Sequence, residues 1–231
     1  MKKYNILNLY ACLGGNRAKW DEIADVEVTA VELDPEAARL YQERFPGDIV
    51  IIADAHQYLL DHFKEFDFIW SSPPCPSHSR ARYWNSSNYD TTTEAIYPDL
   101  KLYEEILFLQ YYYQGKYCVE NVIPFYEPLI PAQKRGRHLY WTNFKLPNDI
   151  GERLEGKGII STGKNEIEKL SKFHNYDFRQ YKGKQPMLKM ARNLVDYEAG
   201  KTIIQIALGI IDKKNEKQLD IFTTNNQQLK K

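Results

Sequence analysis

The chain has 231 residues, 43% of them hydrophobic and 13% aromatic, enough apolar material for a real core, which excludes a disordered linker. Lysine plus arginine number 31 and aspartate plus glutamate 31, so the net charge is zero, which argues against a histone-like protein or one long basic arm. No apolar run approaches the roughly 20 residues of a membrane span, and the charged start Met1-Lys2-Lys3-Tyr4 has no apolar signal region, so a cytoplasmic protein with no membrane partner is expected.

In chain order, the first 125 residues alternate short apolar runs with helical patterns, the signature of βαβ units and a parallel sheet. Strands are expected at Asn5–Tyr10, Val26–Glu32, Asp48–Ile52, Phe66–Trp70 and Lys116–Glu120, with helices at Pro35–Arg44 and Tyr97–Gln114. In the second helix Leu102, Ile106, Leu107 and Leu109 supply the apolar spacing and Gly115 the stop. Residues 76–97 read as a long polar loop, the kind that is usually functional or mobile. A strand at His138–Thr142, a polar and basic stretch over 145–185, a helix at Glu198–Ile211 and a polar tail complete the chain. The charge is unevenly spread: residues 1–130 carry a balance of −9 and residues 131–192 one of +8, which suits a polyanion partner or a solvated helical face.

Ligands in open α/β sheets bind at the C-terminal ends of strands. At the first such end stand Tyr10-Ala11-Cys12-Leu13-Gly14-Gly15, where glycines allow close backbone approach. The second strand ends in Glu32-Leu33-Asp34 and the third in Asp54-Ala55. An acidic residue about 20 positions after the glycines is placed to hold ribose hydroxyls. Together these make a nucleotide-type site, while the phosphate-cradling G-x-x-x-x-G-K-[ST] pattern is absent.

The fourth strand leads into Ser72-Pro73-Pro74-Cys75. Such a cysteine is either a packed small residue or a nucleophile; its place ahead of a polar loop with Arg80 and Arg82 favours reactivity, because nearby cations stabilise thiolate. The fifth strand ends in Glu120-Asn121-Val122, and Gln133-Lys134-Arg135-Gly136-Arg137 follows. On an extended segment alternate residues face one way, so Arg135 and Arg137 are expected to act together. The cysteines Cys12, Cys75 and Cys118 form no C-x-x-C pair, so no disulfide framework is expected. The histidines His56, His62, His78, His138 and His174 lack ligand spacing, so no metal is expected.

With these pieces in this order, the sequence resembles the DNA (cytosine-5) methyltransferase family, over about residues 5–142 and 190–211. The matching pieces are Tyr10–Gly15, Glu32, Asp54, Pro74-Cys75, Glu120-Asn121-Val122, Gln133-x-Arg135-x-Arg137 and Arg192-Asn193-Leu194-Val195. The resemblance implies an α/β, Rossmann-like S-adenosylmethionine-dependent methyltransferase sheet with a small, mostly irregular recognition insert. Residues 1–143 plus 186–212 would form the catalytic domain, 144–185 a reduced target-recognition region, and 213–231 a flexible tail. The implied activity is methyl transfer from S-adenosyl-L-methionine to C5 of a cytosine flipped out of double-stranded DNA. Cys75 would add to C6, Glu120 would hydrogen-bond N3 and the exocyclic amine, Arg137 would hold the O2 edge and Arg135 would support the site. Tyr10, Ala11, Leu13, Gly14, Gly15, Glu32, Leu33, Asp54, Ala55, Pro74 and Asn193 would bind the cofactor. Ser79, Arg80 and Arg82 would contact DNA, under a lid formed by 76–97.

Three departures stand out: Cys12 where glycine is usual, Pro76 where glutamine is usual and Arg192 where glycine is common. With the short region between Asn143 and Pro186, they make the chain more similar to compact phage and prophage members, acting as monomers in a bacterial or infected-host cytoplasm, than to long restriction-modification enzymes. In the tail, Gln218-Leu219-Asp220-Ile221-Phe222 resembles the peptide with which bacterial enzymes dock on the replication sliding clamp; the alternative is packing of Leu219 and Phe222 on the chain's own domain. Three other activities compete. Amino-group methylation of DNA would use Ser72-Pro73-Pro74 but wants an aromatic residue at Cys75. Methylation of transfer RNA is a branch of the same family. A silent nucleic-acid-binding protein would have no use for Cys75, Glu120 and Arg137 together.

Overall fold

The computed structural model describes residues 2–80, 96–151 and 165–210. Among them, seven strands form one sheet in the order β3-β2-β1-β4-β5-β7-β6. They are β1 (Lys3–Leu9), β2 (Asp25–Glu32), β3 (Ile49–Ile52), β4 (Phe68–Ser71), β5 (Lys116–Val122), β6 (Gln133–Arg135) and β7 (His138–Thr142). The first five run parallel, and β7 is antiparallel to both β5 and β6. This is a Rossmann-like α/β sheet, in which β1 is central and every parallel strand ends at one edge.

Alternation along the strands sorts side chains into two cores. Leu7, Leu9, Ile69, Val119 and Trp141 face one layer, with α2 (Ala55–His62) and α3 (Lys101–Tyr112). Ile6, Phe68, Trp70, Cys118 and Tyr140 face the other, with Trp20 and α6 (Tyr197–Ala207). Helix α1 (Pro35–Arg44) forms where expected, with Pro35 in its first turn and Asp34 accepting from the amides of Glu36 and Ala37. Helix α3 begins at Lys101, later than expected, because Pro98 drives Tyr97 away from helical backbone. Helix α6 ends at Ala207 and not at Ile211: Leu208 caps it and Gly209 turns left-handed (φ +68°).

Two stretches hold more regular structure than the sequence suggested. Asp54 caps α2 by accepting from the Gln57 amide at 2.9 Å, and charged and polar residues obscured that helix. Within the region expected to be mostly irregular lie α4 (Glu166–His174) and a 3-10 turn at Phe178–Gln180. Both pack with α5 (Met187–Arg192): Leu170, Phe178, Tyr181, Met190 and Leu194 share a cluster with Leu13 and with Leu40 of α1. Tyr181 further donates its hydroxyl to Asp34. This segment therefore lies against the loop after β1 and helix α1. Among the described residues no helix is long and apolar enough to cross a membrane.

Candidate active site

Strand order brings the ends of β1, β2, β3, β4 and β5 to one edge, and with them Tyr10, Glu32, Asp54, Cys75 and Glu120. The first loop is shaped by backbone demands. Gly14 is left-handed (φ +68°), and a Cβ there would lie 2.3 Å from Phe45. A Cβ on Gly15 would lie 2.3 Å from the carbonyl oxygen of Val195, so this glycine is what lets the Leu194-Val195 segment pack on the first loop. Leu13 is fully buried in that packing and Ala11 nearly so, which leaves Leu13 no surface open to a cofactor.

Glu32 closes the loop from β2. One carboxylate oxygen accepts the Cys12 amide at 2.8 Å and the other the Asp34 amide at 2.9 Å. Burial, partly offset by these bonds, raises its pKa above the ordinary carboxylate value. Beside it Leu33 is 66% exposed, and beside the exposed Asp54, Ile52 is 58% exposed. Two exposed aliphatic side chains flanked by two carboxylates fit a nucleoside, whose base wants apolar cover and whose hydroxyls and amine want acceptors. Ala55 is buried behind them in the first turn of α2.

Cys75 sits half-buried in the loop after β4, while Pro74 is exposed. Its carbonyl accepts from the amides of His78 and Ser79, both at 3.0 Å, which curls the loop into a turn. Asn121 pins the loop from β5, donating to the Pro73 carbonyl at 3.0 Å. Asn193, expected at the cofactor, stands beside Cys75: its Oδ1 is 4.0 Å from the Cys75 Sγ. Burial and then the nearby Glu120 charge push the Cys75 thiol up to about 11, with Lys189 acting in the opposite direction. The expectation that Arg80 would stabilise a thiolate is thus not met. Its guanidinium Nε donates to the Pro124 carbonyl at 2.9 Å, and Ser79 is bridged to Pro124 as well. Arg82, like the proposed clamp peptide Gln218–Phe222, lies outside the described residues.

Glu120 is 6% exposed at the end of β5, with His138 Nε2 3.6 Å from its Oε1. Contrary to the alternation argument, the two arginines do not share a strand face. Gly136 is left-handed (φ +50°), and a two-residue turn at Gly136-Arg137 joins β6 to β7 and breaks the period-2 pattern. Arg135 is committed to backbone carbonyls, donating to Lys134 and Leu146 at 2.7 Å each and to Pro147, so it braces the segment after β7. Arg137 is exposed at the turn. In the basic block, Arg192 is bidentate to Glu166 (2.7 Å twice) and Arg179 is paired with Asp177 (2.8 Å), so part of that charge is neutralised internally.

Sequence reasoning passed over Glu105 and gave His56, Asn121 and His138 no role of their own at the site. Glu105 was visible in principle: at i+3 from Leu102 it falls inside the apolar stripe of α3.

Residues 4–102 match the family model described as C-5 cytosine-specific DNA methylase. No curated protein matches. Among solved structures, a DNMT2 of Spodoptera frugiperda is 24% identical with a TM-score of 0.37, covering 52% of this chain and 35% of that one. A protein described as a DNA modification methyltransferase, encoded within an Escherichia coli prophage, is 18% identical with a TM-score of 0.36, covering 54% and 33%. A conserved hypothetical protein of Streptococcus pyogenes is 12% identical with a TM-score of 0.38, covering 62% and 86%. The chain thus spans about a third of the length of the two methyltransferases.

Proposed function

We propose that this chain is an S-adenosylmethionine-dependent DNA (cytosine-5) methyltransferase acting on a cytosine flipped out of double-stranded DNA. What carries the reading is the placement of Cys75 and Glu120 on adjacent strand ends, next to the Glu32–Asp54 edge, in a chain whose residues 4–102 match the C-5 cytosine methylase family.

S-adenosylmethionine would supply the methyl group. Cytosine C5 is a weak nucleophile, and the protein's task is to make it a strong one. Cys75 Sγ, as thiolate, would add to C6, the electron pair of the C5–C6 bond would move to C5, and C5 would take the methyl while the S–CH3 bonding pair leaves with S-adenosylhomocysteine. The C5 proton then leaves to a base, the C6–S bond breaks and the ring is restored. Glu120 hydrogen-bonds N3 and the exocyclic amine and so offsets the charge that grows on the ring during addition. Its carboxylate also opposes thiolate formation at Cys75 while the site is free. Sharing that carboxylate with the base relieves the opposition, so the nucleophile is activated where its substrate is bound. Glu32 and Asp54 hold the ribose and amine ends of the donor, Leu33 and Ile52 cover its base, and Asn121 holds the nucleophile's loop through Pro73. Ser79, Arg80, Arg82 and the lysines of 157–184 are proposed to meet the DNA backbone.

The test is incubation with labelled S-adenosylmethionine and duplex DNA, followed by mapping of the product base. Label at cytosine C5, lost in Cys75→Ser, is the expected result. Full activity of Cys75→Ser refutes the mechanism, and transfer only to RNA or only to an exocyclic amine selects a different activity. Docking on the sliding clamp through Gln218–Phe222 is a separate proposal resting on that peptide's sequence. A pull-down with purified clamp that Leu219→Ala plus Phe222→Ala leaves unchanged would sink it.

A further inference from the structure

The most enclosed carboxylate next to the cleft belongs to no step above. Glu105 of α3 is 0% exposed and lies among Leu102, Ile106 and Leu109. A carboxylate in such surroundings is costly unless donors reach it. Three do, each from a segment that follows or ends a different strand. The Tyr10 hydroxyl, after β1, meets Oε1; His56 Nδ1, in the first turn after β3, lies 3.1 Å from the same oxygen; and Ser71 Oγ, the last residue of β4, meets Oε2 at 2.7 Å. Burial and the Glu105 charge both hold the Tyr10 phenol protonated, so its hydroxyl is the donor. Tyr10 needs a restraint, since its backbone is left-handed (φ +55°), which bulky residues seldom adopt. An apolar residue at 105 would fill the core as well, which directs attention to geometry and not stability as the use of this charge.

We infer that Glu105 is a positioning residue for the methyl donor: by holding Tyr10, Ser71 and His56 on one buried carboxylate it sets the three strand-end segments that form the donor's cleft. The inference rests on the methyltransferase reading. It joins the donor side to the nucleophile side, because Ser71 is four residues before Cys75 on a loop that two prolines stiffen.

The experiment is calorimetric titration of S-adenosylmethionine into the full chain as wild type, Tyr10→Phe, Glu105→Gln and the double variant, with melting curves for each. Tyr10→Phe keeps the ring and removes only the hydroxyl. Each single variant is expected to raise Kd about tenfold, as for loss of a hydrogen bond to a charged group. Because both remove one contact, the double variant is expected within about twofold of Glu105→Gln. Should Glu105→Gln not fold, Tyr10→Phe and Ser71→Ala give the same readout through their shared carboxylate, with the double variant weaker-binding by less than the product of the singles. A Tyr10→Phe Kd equal to wild type, or strict multiplication of the single effects, overturns the inference, and so does a fall in melting temperature with Kd unmoved. If the wild-type chain itself binds no S-adenosylmethionine, it is the methyltransferase reading that fails.

Discussion

Burial and the Glu120 carboxylate hold the Cys75 thiol at a pKa of about 11 in the free protein. At pH 8 a group of that pKa is thiolate in only about one molecule in 10³. Its alkylation by iodoacetamide should therefore be slow at neutral pH and rise about tenfold per pH unit until it levels near pH 11. Replacing Glu120 by glutamine removes the opposing charge and keeps the shape, so the midpoint should move down while the burial contribution stays. The assay is a pH series of alkylation with the Cys75 peptide read by mass spectrometry. That readout keeps Cys12, whose thiol is pushed up to about 12, and the buried Cys118 from confusing the result. Alkylation that is half-maximal at pH 8.5 or below in the free chain would refute the electrostatic reasoning, and a midpoint unmoved in Glu120→Gln would remove Glu120 from it.

Other perturbations follow from the packing. Gly15→Ala sets a Cβ 2.3 Å from the Val195 carbonyl oxygen, a backbone atom with little room to move. Overpacking of this kind costs about 1–3 kcal/mol, so melting should fall by roughly 3–10 °C. Arg17→Met strands Asp48, which the Arg17 guanidinium holds at 2.9 Å with both side chains nearly inaccessible. Breaking a buried pair on one side costs about 3–5 kcal/mol, to be read as a lower denaturant midpoint; a change under about 1 kcal/mol would contradict the assignment. His56 has its pKa raised, chiefly by its bond to Glu105. A raised histidine adds stability that is complete below its unfolded value of about 6.5 and is lost as pH climbs through the folded value. Wild type should thus outlast His56→Gln most at pH below about 6, with the gap closing under alkaline conditions; a gap constant with pH would show that the charge plays no part.

Much of the sheet was legible because period-2 alternation and βαβ spacing are local. Helix α1 and strand β7 fall where the pattern placed them, and the parallel strands differ by no more than two residues at either end. Glu32, Asp54, Cys75 and Glu120 were legible for the same reason: each closes or follows a strand, and parallel strands end together. The misreadings came from interactions between segments distant in sequence. Asp54 looked like a free strand-end carboxylate, yet it also caps a helix. Arg135 and Arg137 looked like one face, yet Gly136 turns the chain between them. Asn193 offered no link to Cys75 in the sequence, yet the end of α5 brings it to within 4.0 Å of that cysteine, 118 residues away.

By itself the sequence determined that strand ends bearing carboxylates and one cysteine would meet along an edge, since hydrophobic periodicity dictates which residues pair and which face inward. Only the tertiary structure decided what each of those groups is worth there. The Cys75 pKa depends on Glu120 and Lys189, the reach of Arg80 on Pro124, and the seat of Tyr10 on a carboxylate 95 residues along the chain. Burial and Coulomb forces act through space at a few ångströms, and no local pattern of residue types encodes which distant side chains come that close.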